Sequence, residues 1–187
     1  MQQEFTLTIY SENRIGILNQ ITTVFTRRHI NIESLSTSES AIEGIHKFTI
    51  VVMATKDEVD LLARQLEKCI DVLKAYAFSQ DEIIYQEIAL YKVPTSTLFE
   101  GNEIEKLVRH YGARIMEMTA EYTVIEKTGH KKETQELFDK LDPYGVTQFT
   151  RSGRIAINKL KKEPLNSYLR KLEKNGNSPD NYKKINN

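Results

Sequence analysis

Two kinds of hydrophobic spacing alternate in the first half of the chain, and their order constrains the fold more than any other feature. Residues 5–9 and 48–52 alternate apolar and polar side chains, which is the period of a half-buried strand. Residues 15–28 place apolar side chains three and four positions apart, which predicts an amphipathic helix. Thr55 and Glu58 have the spacing of a capping box, which predicts the start of a second helix. Short strands are predicted around residues 30–35 and 71–79.

The resulting order, β-α-β-β-α-β, is that of the split-βαβ or ferredoxin-like unit. The second half repeats it less clearly, with Gly112 and Pro143 marking two helix ends. We therefore predict an α+β fold with two ferredoxin-like domains, residues 1–79 and residues 80–158. Residues 159–187 are predicted to be a flexible tail, because residues 158–187 hold eight basic and three acidic side chains among many Asn residues. Binding of a partner by this tail remains an alternative.

Charge and cysteine content narrow the class of protein. The 26 basic and 26 acidic residues cancel, so bulk charge favours neither nucleic acid nor an anionic membrane as a partner. No apolar run approaches the ~20 residues that span a bilayer, and the first residues lack the pattern of a signal peptide. A single cysteine, Cys69, fits a reducing compartment. We expect a cytoplasmic protein.

No group of residues has the pattern of a catalytic or metal site. The four histidines are scattered, and the chain contains neither a phosphate-binding glycine loop nor a nucleophile elbow. Cys69 falls on the apolar stripe of the second predicted helix, and a free cysteine usually packs as a small hydrophobe. We therefore expect no enzyme activity, no cofactor and no metal in this chain.

The turn between the first strand and the first helix is the segment best suited to bind a ligand. A helix N-terminus offers unpaired N–H groups and a partial positive charge to a carboxylate. Gly16 allows a ligand to approach the backbone, Asn13 can cap the helix and bind a polar group, and Asn31 supplies a second amide. The alternative is that Asn13 is only a cap and Gly16 only a packing glycine.

Several segments resemble the small regulatory subunit of acetolactate (acetohydroxyacid) synthase. Asn-Ile-Glu-Ser-Leu at residues 31–35 is the most distinctive segment, and Glu-Asn-Arg-Ile-Gly-Ile-Leu at residues 12–18 precedes it. The resemblance continues with residues 71–73 and 86–90, and then with Gly-Ala-Arg-Ile at 112–115 and Arg-Ser-Gly-Arg-Ile-Ala at 151–156. It covers residues 4–158 in order.

The resemblance implies an N-terminal ACT domain that dimerises edge to edge and binds a branched-chain amino acid at the interface. The implied function is to activate a catalytic large subunit in valine, leucine and isoleucine biosynthesis, and to confer feedback inhibition by valine or a related amino acid. Thiamine diphosphate, Mg²⁺ and FAD are expected in that large subunit, and not in this chain. The implied effector-binding residues are Asn13, Ile15, Gly16, Ile17, Leu18, Asn19, Asn31 and Ile32.

Two positions depart from the family pattern. Ile15 stands where the family often has proline or a small residue, and His29 replaces a common glycine at the helix end. Histidine tolerates the left-handed backbone region better than most residues, so we expect His29 to adopt it. The competing hypothesis is a stand-alone ACT-domain amino-acid sensor that acts on another enzyme or on transcription.

Overall fold

The computed structural model describes residues 1–99, 102–160, 165, 169 and 170. The chain forms two compact units, one comprising Met1–Ile84 and Ala156–Asn187, the other Tyr85–Ile155. The units divide a few residues after the domain boundary predicted at residue 79. No helix among the described residues has the length and apolar character needed to cross a bilayer.

The first unit contains an antiparallel four-stranded sheet with two helices on one face. The elements follow the predicted order: β1 (Gln3–Glu12), α1 (Ile17–Arg27), β2 (Ser34–Glu39), β3 (Ile45–Ala54), α2 (Lys56–Leu66) and β4 (Val72–Ser79). The strand order in the sheet is β2-β3-β1-β4, so the first strand lies inside the sheet and the second at an edge.

The alternation of apolar and polar side chains along the strands accounts for the core of this unit. One face of the sheet and the apolar stripes of both helices form a single buried cluster, which includes Phe5, Leu7 and Ile9 from β1. Side chains on a strand point alternately to opposite faces, so these three residues share the face that the helices cover. The helix α2 packs against β4 and β1, which leaves α1 over the other half of the sheet, towards the edge strand β2.

The capping box is confirmed at α2. The Thr55 hydroxyl accepts a hydrogen bond from the Glu58 amide, and the Glu58 carboxylate accepts one from the Thr55 amide at 2.7 Å. His29 has φ +54°, the left-handed geometry expected from the sequence.

The predicted second strand was misplaced. Ile30 and Ile32 pack against the core, but the strand itself begins at Ser34 and continues through Ser-Thr residues to Glu39. Because β2 is an edge strand, its side chains are half-buried or exposed, and their hydrophobicity does not mark where pairing with β3 occurs.

The second unit repeats the four-stranded architecture. Its elements are β5 (Ile83–Pro94), α3 (Ser96–Phe99), α4 (Glu103–His110), β6 (Arg114–Met118), β7 (Tyr122–Gly129), α5 (Lys131–Leu141) and β8 (Gln148–Arg151). The strand order is β6-β7-β5-β8. A short strand, β9 (Ile155–Asn158), also pairs with β5, and all of it except Ile155 belongs to the first unit. Gly112, at φ +58°, follows the end of α4 as predicted, and the next amide, from Ala113, bonds back to the Val108 carbonyl at 2.8 Å.

Most of the predicted tail, residues 159–187, lies outside the described residues. Of those that are described beyond residue 160, Leu165 and Leu169 are buried and Arg170 is exposed.

Candidate functional site

The turn from β1 to α1 is held by backbone hydrogen bonds. Gly16 is the N-cap residue of α1 and has φ +89°, in the left-handed region that favours glycine. The Ile17 amide bonds to the Arg14 carbonyl at 3.2 Å, and the Gln20 amide bonds to the Gly16 carbonyl at 3.1 Å. A Cβ added to Gly16 would meet no atom within 4 Å. The backbone at Gly16 is therefore open to an approaching group.

Asn13 does not cap the helix, contrary to the role considered from the sequence. The helix begins at Ile17, so Asn13 lies four residues before it, and the N-cap position is Gly16, without a side-chain cap. The Asn13 backbone amide donates to the Gly44 carbonyl at 3.1 Å, which ties the turn to the loop before β3. The Asn13 side chain is exposed, so its amide group is accessible to a ligand at the start of the turn.

The first helical turn provides hydrogen-bond donors. The amides of Leu18 and Asn19 have no acceptor within the helix, because the residues four positions earlier precede it. Ile15, Leu18 and Asn19 are exposed, whereas Ile17 is buried in the core and fixes this end of α1. The N-terminus of α1 thus offers N–H groups and a partial positive charge beside accessible apolar side chains, which suits the carboxylate and side chain of a small amino acid.

Asn31 and Ile32 lie at the other end of α1, in the segment between the helix and β2. The sequence had placed them on the strand. The Asn31 side chain is exposed and its amide nitrogen donates to the Glu33 carboxylate at 2.8 Å. Ile32 is half-buried and packs against the core. The Glu33 amide bonds to the Val51 carbonyl at 2.9 Å, which fixes the position of this segment on the sheet.

The strand register places the Gly16 turn and the Asn31 segment, the two parts of the predicted site, far apart within one chain. Ser34 pairs with Val51, and Val51 pairs with Thr6. Asn13 lies seven residues beyond Thr6 along the chain, which at about 3.3 Å per residue is roughly 20 Å along the sheet. A single amino acid cannot contact both Gly16 and Asn31 of the same chain.

A carboxylate that the sequence did not single out supports the turn. Asp71 lies 3.8 Å from the Arg14 side chain, accepts from the Gln20 side chain at 3.4 Å, and accepts from the Glu12 amide through its carbonyl at 2.9 Å. Arg14 also pairs with Glu12 at 3.0 Å. The resemblance at residues 71–73 was the signal for this position, but it did not indicate the contact with the turn.

Cys69, two residues before Asp71, does not carry an activated thiol. Burial raises the pKa of the Cys69 thiol, and the nearby Asp71 adds to that shift against the opposing charge of Arg27. A raised pKa disfavours the reactive thiolate. Within residues 1–99, 102–160, 165, 169 and 170, no three His, Cys, Asp or Glu side chains form a metal-binding group.

Both halves of the chain match models of one protein family. Residues 7–74 match the ACT domain of acetohydroxyacid synthase small subunits, and residues 86–160 match the small subunit of acetolactate synthase. The crystal structure of the acetolactate synthase small subunit from Thermotoga maritima has the same fold, with a TM-score of 0.77 at 24% identity over 86% of this chain and 99% of that chain.

Curated relatives agree with the family models. The acetolactate synthase small subunit of Bacillus subtilis is 34% identical over 84% of this chain and 90% of its own length. The small subunit of Mycolicibacterium smegmatis is 29% identical over 82% of this chain and 90% of its own length. With both domains matched in order and the ACT fold present in the first unit, the chain belongs to the family of acetolactate synthase small subunits.

Proposed function

We propose that this chain is a regulatory subunit that associates with a catalytic acetolactate synthase subunit, raises its activity and makes it sensitive to valine or a related branched-chain amino acid. Gly16 and Asn31 lie at opposite ends of α1. This separation is the observation that supports an effector site shared between two chains. Membership of the family supports the catalytic partner. Thiamine diphosphate, Mg²⁺ and FAD would be held by that partner.

A two-fold dimer through the edge strand β2 would reunite the two halves of the site. An edge strand presents unpaired N–H and C=O groups, and a two-fold axis pairs such a strand with its own copy in antiparallel orientation. The start of β2 in one chain then lies beside the end of β2 in the other. Since α1 covers the β2 side of the sheet, the Gly16 turn of one chain would face Asn31 of its partner.

The dimer gives a physical route to regulation. An effector held between the N-terminus of α1 in one chain and the Asn31 segment of the other stabilises the dimer arrangement that brings them together. An effector shifts a conformational equilibrium only by its difference in affinity for the two states, and the coupling between effector and catalytic partner is reciprocal. Catalytic-subunit binding should therefore change valine affinity by the same factor that valine changes catalytic-subunit binding.

Mixed dimers test whether the site joins two chains. Gly16→Asp would place a negative charge where the effector carboxylate binds, and Asn31→Ala would remove the second amide. A dimer of either variant alone has two damaged sites. A heterodimer, purified through two different tags, has one site with both changes and one site with neither.

We expect calorimetry to detect about one valine per heterodimer and none per variant homodimer, because the two-fold arrangement leaves one site intact. A heterodimer that binds no valine, when the wild-type dimer binds two, contradicts a shared site. The regulatory role is tested by adding the chain to a purified catalytic subunit and measuring pyruvate condensation with and without valine, leucine or isoleucine. Pyruvate turnover by this chain alone would overturn the proposal.

A further inference from the structure

Two leucines beyond residue 160 lie in a second buried cluster of the first unit. Leu165 is 1% exposed and Leu169 is 6% exposed, and they form a buried cluster with Tyr10, Ile42 and Ile45. Leu73 and Tyr76 pack against the same cluster. The leucines are four residues apart, so in a helix they share one face. Leu160, five residues earlier, is 61% exposed.

This cluster is distinct from the core beneath the helices. Tyr10 follows Ile9 on β1, so its side chain points to the sheet face opposite the one that α1 and α2 cover. Two hydrogen bonds hold the chain near this unit before the leucines: the Lys159 amide donates to the Glu82 carbonyl at 2.8 Å, and the Lys47 ammonium donates to the Ala156 carbonyl at 2.9 Å. The chain is thus attached to the first unit at residues 156 and 159, before the two leucines.

The loop that receives the leucines also holds the effector turn. The Ile45 amide bonds to the Ile42 carbonyl at 3.1 Å, which closes the loop on its two buried isoleucines. Within that loop, the Gly44 carbonyl accepts the 3.1 Å hydrogen bond from the Asn13 amide. One short loop therefore contacts the C-terminal leucines on one side and the Asn13–Gly16 turn on the other.

We propose that Leu165 and Leu169 form an intramolecular brace, which holds the Ile42–Ile45 loop and thereby fixes the effector turn. The proposal rests on the proposed function, because it concerns regulation of the same effector site. The family match ends at residue 160, so both leucines lie beyond the matched domains. The leucines that cover the Ile42–Ile45 loop belong to the same chain. Their replacement would loosen the turn without altering any effector-binding residue.

Amide hydrogen exchange of the full-length chain tests the brace directly. The variant is Leu165→Ser with Leu169→Ser, and the matched control is Leu160→Ser, which alters an exposed leucine of the same segment. We expect peptides that contain Asn13 and Ile45 to exchange about tenfold faster in the double variant, because their hydrogen bonds open locally. Peptides from β7 in the second unit should be unchanged, as should every peptide in the control. Leu169→Ala provides a milder variant if the double variant unfolds.

Valine affinity gives the second measurement. We expect the double variant to bind valine several-fold more weakly, since a turn that occupies the binding-competent geometry for less time has a reduced apparent affinity. Unchanged exchange at Asn13 and Ile45 in the double variant overturns the brace. Wild-type protection of Ile45 that depends on protein concentration also overturns it, because the leucines that cover the loop would then come from a second copy of the chain. Faster exchange with unchanged valine affinity overturns the coupling to the turn. If the wild-type chain binds no valine, the proposed effector fails while the exchange result still decides whether the segment docks.

Discussion

Gly16 and Gly112 share a left-handed backbone geometry, with φ +89° and +58°, and in both an added Cβ would meet no atom within 4 Å. Gly16 precedes α1 at the candidate effector turn, whereas Gly112 follows α4 in the second unit. The two glycines therefore carry the same conformational requirement in different surroundings. A comparison of alanine variants at these two positions can therefore distinguish the effect of backbone strain from an effect on ligand binding.

Replacing each glycine by alanine should reduce stability in both cases and valine affinity in only one. A left-handed backbone costs a residue with a Cβ about 1–2 kcal/mol, so Gly16→Ala and Gly112→Ala should lower the free energy of unfolding by that amount. Denaturant titration measures this loss. In calorimetry, Gly16→Ala should weaken valine binding because the methyl group faces the open side of the turn, and Gly112→Ala should not. Equal valine affinity in the two variants would count against the turn as the effector site.

Neighbouring leucines on α2 should differ sharply in their contribution to stability. Leu62 is fully buried in the core cluster, whereas Leu61 is 37% exposed. Truncation of a buried leucine removes its transfer free energy and leaves a cavity, so Leu62→Ala should cost about 2–5 kcal/mol. Leu61→Ala should cost about 0.5 kcal/mol or less, as is usual for surface positions. The comparison is made by urea unfolding at one pH, and similar losses for both variants would contradict the placement of the helix face.

The order of elements in both units was predictable because buried faces repeat with the period of a strand or a helix. The helix that Thr55 caps was the clearest case, since the hydroxyl and carboxylate of the capping box are three residues apart in the sequence. The edge strand β2 was misplaced for a physical reason. Its pairing with β3 is made by backbone groups, which every residue carries, while Ile30 and Ile32 contribute to the core from outside the strand.

Which residues bind an effector stays a prediction, and the resemblance implied a site between two chains. The structure adds the geometry within one chain: the register through Val51 places Asn31 far from Asn13 and Gly16. Strand register depends on cross-strand packing, which spacing along one chain does not reveal. The tail was judged from its charge, and an average over many lysines conceals two leucines that are buried.

The capping box at α2 should make stability depend on pH in acid. The Glu58 carboxylate accepts hydrogen bonds from the Thr55 amide and hydroxyl, and these bonds lower the pKa of Glu58 below its usual 4.5. A lowered pKa in the folded state stabilises the protein above the unfolded pKa, and this contribution is lost as the pH falls through the folded value. Wild type should therefore be more stable than Glu58→Gln at neutral pH, and the difference should shrink below about pH 4.5. Thermal melts from pH 3 to 7 measure it, and a difference that stays constant over that range would contradict the assignment.

The carboxylate of Glu126 should titrate differently once its hydroxyl partner is removed. Glu126 lies on β7, is buried, and accepts a 2.6 Å hydrogen bond from the Thr128 hydroxyl, besides pairing with Arg114. The Thr128 hydrogen bond is the main cause that lowers the pKa of Glu126, with Arg114 adding to it against the effect of burial. In Thr128→Val, the hydroxyl is lost at similar side-chain size, so we expect the pKa of Glu126 to rise. An NMR titration of the carboxyl carbon measures the shift.

The matched variant for this titration is Arg114→Gln, which removes the charge and leaves the hydroxyl in place. Because the Thr128 hydroxyl and the Arg114 guanidinium each lower the pKa of Glu126, that pKa should rise in both Thr128→Val and Arg114→Gln. The sign of the stability change follows from the same shift: a folded pKa closer to the unfolded value leaves less stabilisation at neutral pH. The loss in Thr128→Val should then be present at pH 7 and diminish as the pH falls through the folded pKa of Glu126. An unchanged pKa of Glu126 in either variant would contradict the contact that the variant removes.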